Sequence, residues 1–188
     1  MSKQSKSSIN MTPLLENDFI LTRTMNRRYA KATYQKYHNK WQITTFIISV
    51  VLFSLAFVSA FLSKFCTVLV ILFPIFILIG FYCFFMSWFG YLFQAHVSYK
   101  DMARFYGDPI HMHVIFYDRF IRVVGDDNNF DFPYEYINEI IDLGDMSILM
   151  INSPQSIKHG QVIDTSILSP NELATYYEII YKIQKNKG

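Results

Sequence analysis

Residues 43–63 read ITTFIISVVLFSLAFVSAFLS, an unbroken apolar run with no charge. The hydrocarbon core of a bilayer is about 30 Å thick and a helix rises about 1.5 Å per residue, so about 20 such residues span it. A helix in the core of a soluble protein keeps a polar stripe toward water, and this run has none. A second run, residues 65–95, follows after only Ser63-Lys64-Phe65 and is again uncharged. The tip is too short to hold a domain, so the reading is an antiparallel transmembrane hairpin over 42–95. The first run starts more than 40 residues into the chain and exceeds the ~7–15 residues of a signal-peptide core, which argues against a cleaved leader.

The second run would be roughly 46 Å long as a straight helix, more than a bilayer needs. Pro74 removes one backbone hydrogen bond and is expected to kink it. Trp41, Trp88 and Tyr91 are residue types of the membrane–water boundary. Taken as interface anchors, they set the membrane portions at 42–62 and 66–88, with 89–106 continuing as helix beyond the bilayer. Gly80 and Gly90 suit close helix packing, although neither forms a GxxxG pattern. Apart from Lys64 at the tip, no acid, base or histidine lies between 42 and 95. Intramembrane charge marks most ion and proton paths, so a transporter or pump is not indicated.

Basic residues set the orientation. Arg23, Arg27, Arg28, Lys31, Lys36 and Lys40 precede the first run, Lys100 and Arg104 follow the second, and Lys64 stands alone at the tip. This bias places both termini in the cytoplasm and the chain as a multi-pass protein of the cell membrane. Residues 19–41 are expected to form a basic juxtamembrane helix. It would lie along anionic headgroups, at about 1 kcal/mol per basic residue, or pack on the soluble part. Residues 1–18 are polar and aperiodic and are expected to be a disordered tail. Residues 96–110 are expected to be a linker helix.

The net charge of +2 hides an asymmetry: residues 1–107 hold 11 Lys/Arg against 3 Asp/Glu, and residues 108–188 hold 6 against 12. An acidic soluble part argues against nucleic-acid binding and against a lipid-headgroup site within it. The two cysteines, Cys66 and Cys83, lie in the apolar runs and suggest no disulfide framework.

From residue 111 onward the pattern shortens and alternates. His111–Tyr117 reads as a strand, Asp118-Arg119 as a turn, and Phe120–Val124 as the next strand. Residues 125–129 form a hairpin turn by composition, and Phe130–Phe132 opens a third strand. Tyr134–Ile141 is ambiguous between helical turn and strand. Met146–Ile151 reads as a buried strand after a turn at Gly144-Asp145, and Gln161–Asp164 as one more. Ser169, Pro170 and Glu172 make a capping box before a last helix whose apolar face is Leu173, Tyr177, Ile180 and Ile183, with Tyr176 beside them. The expected fold class is therefore α+β: a two-helix transmembrane hairpin followed, over 111–188, by a small cytoplasmic antiparallel β domain with a C-terminal helix, similar to pleckstrin-homology (PH-like) domains.

Two apolar helices followed by VIFYDRFIRVVGDDNNFDFPYEYINEIIDLGDMSILMINS and VIDTSILSPNELATYYEIIYKI resemble the YcxB-like family of bacterial membrane proteins. The resemblance rests on Val114–Asp118, Pro133–Ile140, Ile148–Ile151 and the capped helix opening at Ser169–Glu172. It covers roughly residues 19–184. Members often carry a basic stretch before the last helix, where this chain has Val162-Ile163-Asp164-Thr165-Ser166. The resemblance implies the fold and carries no activity with it.

Candidate chemistry is sparse. His111 and His113 share one strand face, but no third ligand accompanies them, and zinc needs three or four. Asp126 to Asp131 is superficially like a calcium loop, yet it lacks the glycine at position six and the glutamate at position twelve, which is Ile137 here. No Gly-rich phosphate loop, HExxH or GxSxG occurs. No cofactor is expected. The function expected is a non-enzymatic, membrane-anchored interaction or regulatory module with the bilayer and an unidentified protein as partners. The alternative is an immunity or resistance protein against a membrane-acting toxin, and the remote alternative a membrane enzyme.

Overall fold

The computed structural model describes residues 12–65, 67–125, 129–152 and 159–185. Two compact units divide between Thr22 and Arg23 and again between Asp101 and Met102. The first is built from both ends of the chain, and the second, helical unit is inserted within it.

In the first unit, β1 (Leu15–Ile20), β2 (His111–Phe116), β3 (Phe120–Val124) and β4 (Asn129–Pro133) form one antiparallel sheet in that order. A single 3-10 turn, Tyr134–Tyr136, leads to a second antiparallel sheet of β5 (Ile137–Asp142), β6 (Met146–Ile151) and β7 (His159–Asp164). Asp118 and Arg119 close the β2–β3 hairpin, with the Tyr117 N–H donating to the Phe120 carbonyl at 2.9 Å. At the β5–β6 turn Gly144 has φ +88°, a conformation glycine adopts without steric cost. Its N–H donates to Asp142 Oδ1 at 2.8 Å.

The alternation of β2 buries Met112, Val114 and Phe116, and Ile121, Ile148, Leu149 and Ile163 are fully buried as well. The last helix, α4 (Pro170–Lys185), sets Tyr176 edge-on against Phe116, ring centroids 5.8 Å apart. Its capping box is formed: Ser169 N–H donates to Glu172 Oε2 at 2.8 Å, and Glu172 N–H to Ser169 Oγ at 3.4 Å. The buried face of α4 is Tyr176, Ile179, Ile180 and Ile183. Tyr177, expected on that face, is exposed, because it stands about 100° around the helix from Tyr176.

The expected disordered tail over 1–18 is corrected at its end, and the helix expected from 19 begins only at Arg23. Residues 15–20 are a strand because Leu15 and Phe19 are buried and every residue of β1 pairs with β2, from Leu15 opposite Phe116 to Ile20 opposite His111. Residues 1–11, Cys66 and the turn residues 126–128 lie outside the described residues.

The helical unit contains α1 (Arg23–Tyr37), α2 (Asn39–Leu62) and α3 (Thr67–Tyr106) up to Asp101. The 40 residues of α3 amount to about 60 Å, and the helix continues through Pro74. The linker helix expected over 96–110 is the end of α3 itself. It stops at Tyr106 because Gly107 takes φ +78°, the left-handed conformation that terminates helices.

Candidate functional site

The register of the helical unit follows from a few contacts. Phe46 faces Phe84 with ring centroids 6.4 Å apart, and Phe53 meets Phe81 edge-on at 5.2 Å. A Cβ at Gly80 would lie 3.1 Å from the Phe53 ring, so glycine there makes room for that ring. Trp41 precedes Phe46 by five residues and Trp88 follows Phe84 by four. Both tryptophans therefore lie about 6–8 Å from that ring pair toward the same end, at one level. Tyr91 is half-buried one turn further along α3.

Beyond the tryptophans α1 continues the antiparallel pairing. The Asn26 amide donates to the Ala95 carbonyl at 2.6 Å and to Ser98 Oγ at 3.3 Å. The Tyr34 hydroxyl donates to the Met86 carbonyl at 3.0 Å. It passes so close to Gly90 that a Cβ there would clash with the phenol oxygen. The Arg23 guanidinium lies over the Tyr99 ring, 5.5 Å from its centroid. The basic helix thus has a third placement, besides the headgroups and the soluble part: among its buried residues, Asn26, Ala30, Thr33 and Tyr34, both Asn26 and Tyr34 bond to α3. Arg27, Lys31, Lys36, Lys40, Lys100 and Arg104 are exposed, as is Arg23 despite its ring contact, while Arg28 is half-buried.

The two apolar helices are packed inside out relative to a soluble bundle. The buried residues of α2 are Thr45, Ser49, Ala56 and Ser59, and on α3 they include Gly80, Ser87, Gly90 and Ala95. The hydroxyls of Thr45, Ser49 and Ser87 are spent on carbonyls of their own helix one turn back. The large side chains face outward: Phe57 is 76%, Phe61 72%, Phe65 84% and Leu78 70% exposed. Asn39–Leu62 and a stretch of α3 are long and apolar enough to cross a membrane.

In the sheet unit, Asn17 occupies the middle inward position of β1 and is fully buried. Its amide donates to the Asp164 carbonyl at 2.8 Å, and the Asp164 N–H donates to its Oδ1 at 3.0 Å. One side chain so takes the place of a strand neighbour and joins β1 of the first sheet to β7 of the second. On the outer face, Arg122 forms a bidentate pair with Asp131 at 2.6 and 2.8 Å and lies over both Tyr117 and Phe120. His111 is exposed, and His113 Nε2 lies 3.7 Å from Glu16 Oε2 across the β1–β2 pair. No group of three or more metal-ligating side chains assembles among the described residues.

One cavity of about 360 Å³ opens beside α4. Its walls are Leu14, just before β1, Ile179 and Ile183 of α4, and Tyr134. Asp118 of the β2–β3 turn and Lys182 and Lys185 of α4 also line it. The Tyr134 hydroxyl donates to the Tyr117 carbonyl, and burial, with the Asp118 carboxylate as a second cause, raises its pKa above the ordinary phenol value. Sequence reading singled out none of these residues as a site. They come from four separate places in the chain, and only the fold brings them together.

Comparisons of the chain with protein-family models, with curated proteins and with solved structures return no match.

Proposed function

We propose that the chain is a membrane-anchored interaction module of the YcxB-like kind, with α2 and α3 crossing the bilayer and a PH-like domain held at the cytoplasmic leaflet. One observation carries the reading: the buried positions of α2 and α3 hold small or hydroxyl-bearing residues, while most of the large apolar side chains of both helices lie exposed. Water favours the reverse arrangement. In lipid the tails are as apolar as the outer side chains, so nothing drives those side chains inward. Monomeric soluble proteins seldom expose contiguous apolar patches beyond about 300–600 Å².

The orientation is supported by the inserted topology. β1 precedes the helices and β2 follows them, and the two are hydrogen-bonded neighbours over six residue pairs. A bilayer cannot divide one sheet, so the chain enters and leaves on the same side. The exposed basic residues near Trp41 and Trp88 support the cytoplasm as that side. Trp41, Trp88 and Tyr91 act as the boundary anchors. The PH-like assignment is supported by a four-stranded and a three-stranded antiparallel sheet followed by a C-terminal helix. The domain is non-enzymatic in this reading and holds a protein partner through residues 108–188.

Alkaline carbonate washing of membranes tests the anchor: the chain is expected in the pellet, and release to the supernatant overturns the reading. Co-purification of the full chain from mild detergent tests the module. A specific protein retained by the chain, and lost when surface residues of 108–188 are substituted, is the expected result. Protection against a membrane-acting toxin that survives deletion of those residues would favour the immunity alternative.

A further inference from the structure

We infer that the cavity beside α4 is a binding site for a small zwitterion with an apolar stem, its ammonium facing Asp118 and its anionic group facing Lys182 and Lys185. The site itself is argued from the sheet unit alone, and only the headgroup as a source of the ligand rests on the membrane-anchored reading.

Three observations combine. The floor is aliphatic, formed by Leu14, Ile179 and Ile183. Charges of both signs line the same space, yet among the described residues no ion pair joins Asp118 to either lysine. The volume, about 360 Å³, falls near the lower end of the roughly 300–1,000 Å³ of small-molecule sites, which suits a ligand of amino-acid size.

The location of the lysines has a simpler cause as well, since cations near a helix C-terminus are favoured by the helix dipole. That cause accounts for neither the carboxylate nor the aliphatic floor. A purely anionic ligand would be repelled by Asp118, and a purely cationic one by the two lysines. A molecule with both charges answers both, and its apolar part covers the isoleucines. The Tyr134 phenol, engaged with the Tyr117 carbonyl, forms a fixed wall of the site.

The shared chemistry, an ammonium and an anionic group beside a short stem, comes from two sources: a free amino acid or the headgroup of an aminophospholipid. The test uses the full chain in phosphatidylcholine nanodiscs at low ionic strength, with calorimetry as readout. The probes are L-leucine, phosphoethanolamine, 4-methylpentanoate (no ammonium) and isoamylamine (no carboxylate). Both zwitterions are expected to bind. Each one-charge probe is expected to be weaker by at least about tenfold, the value of one charge-assisted hydrogen bond. Asp118→Asn and the pair Lys182→Gln with Lys185→Gln are expected to lose as much for leucine. If phosphatidylethanolamine added to the nanodisc competes with leucine, the lipid headgroup is the occupant; if it does not, a free amino acid is. Absence of binding by both zwitterions at millimolar concentration overturns the inference. So does equal binding of the one-charge probes, or unchanged leucine affinity in the Asp118→Asn chain.

Discussion

Replacing Asn17 by alanine removes the only side chain that bonds β1 to β7 among the hydrogen bonds described above. Two bonds go, one to the Asp164 carbonyl at 2.8 Å and one from its N–H at 3.0 Å. Both backbone groups of Asp164 are then left unpaired at a part-buried place. Each unsatisfied group costs about 1–3 kcal/mol, so the loss is about 2–4 kcal/mol when partial hydration is allowed for. Against a domain stability of about 5–15 kcal/mol that is a large share. Hydrogen-exchange mass spectrometry of the full chain in nanodiscs reads it directly. Opening of β1 and β7 is expected to rise by roughly thirty- to a thousandfold, the equivalent of that loss. Asn17→Asp separates bonding from packing. It keeps the volume but cannot donate, and it turns a carboxylate toward a carbonyl, so it should be at least as damaging as alanine. A change within about 0.5 kcal/mol for alanine, the range of an ordinary surface substitution, would refute the reasoning. A milder effect for aspartate than for alanine would refute it too.

Gly90→Ala should destabilise the α1–α3 pairing by about 1–3 kcal/mol through overpacking against Tyr34, read by far-UV circular dichroism on heating. In a Tyr34→Ala background the same change should cost little, giving a measurable coupling in a double-mutant cycle. The hydrogen bonds with Ser169 hold the Glu172 carboxyl below the usual carboxylate range. Its contribution is therefore present above the unfolded-state pKa and lost as pH falls through the folded one. Melting of Glu172→Gln should accordingly vary less with pH between about 5 and 3 than melting of the parent chain. The Tyr176 hydroxyl is buried beside Ser147 without reaching hydrogen-bond geometry with it, so Tyr176→Phe should be neutral or stabilising by up to about 1 kcal/mol in denaturant unfolding. A larger loss would mean that the hydroxyl has a partner.

How much of this was legible in the sequence depended on which residues carry each element. The apolar runs were legible because twenty uncharged residues leave few alternatives, and the capping box because its bonds are local. β1 was hidden by its own key residue. Leu15 and Phe19 alternate correctly with Glu16 and Asp18, but the middle inward slot holds Asn17, so Glu-Asn-Asp reads as a polar tail. α1 was hidden in a similar way: Asn26 and Thr33 lie on its buried face, and no hydrophobic pattern reports an amide bonded to a helix carbonyl. The buried side of α2 was present as Thr45, Ser49, Ala56 and Ser59 at helical spacing, a signal that a search for GxxxG alone passes over. The cavity was not legible at all, since Leu14, Asp118, Tyr134 and Lys182 have no local relation until β1 folds back beside β2.

Cysteine accessibility in intact cells tests the central account most directly, with Cys66 and Cys83 replaced by alanine and single cysteines placed at Asp18, Lys64 or Ser166. A membrane-impermeant maleimide applied from outside is expected to label the cysteine at position 64 alone, and those at 18 and 166 only after the cells are opened. Labelling of 18 and 166 from opposite sides, or of all three without opening the cells, would contradict a hairpin that returns to complete its own sheet.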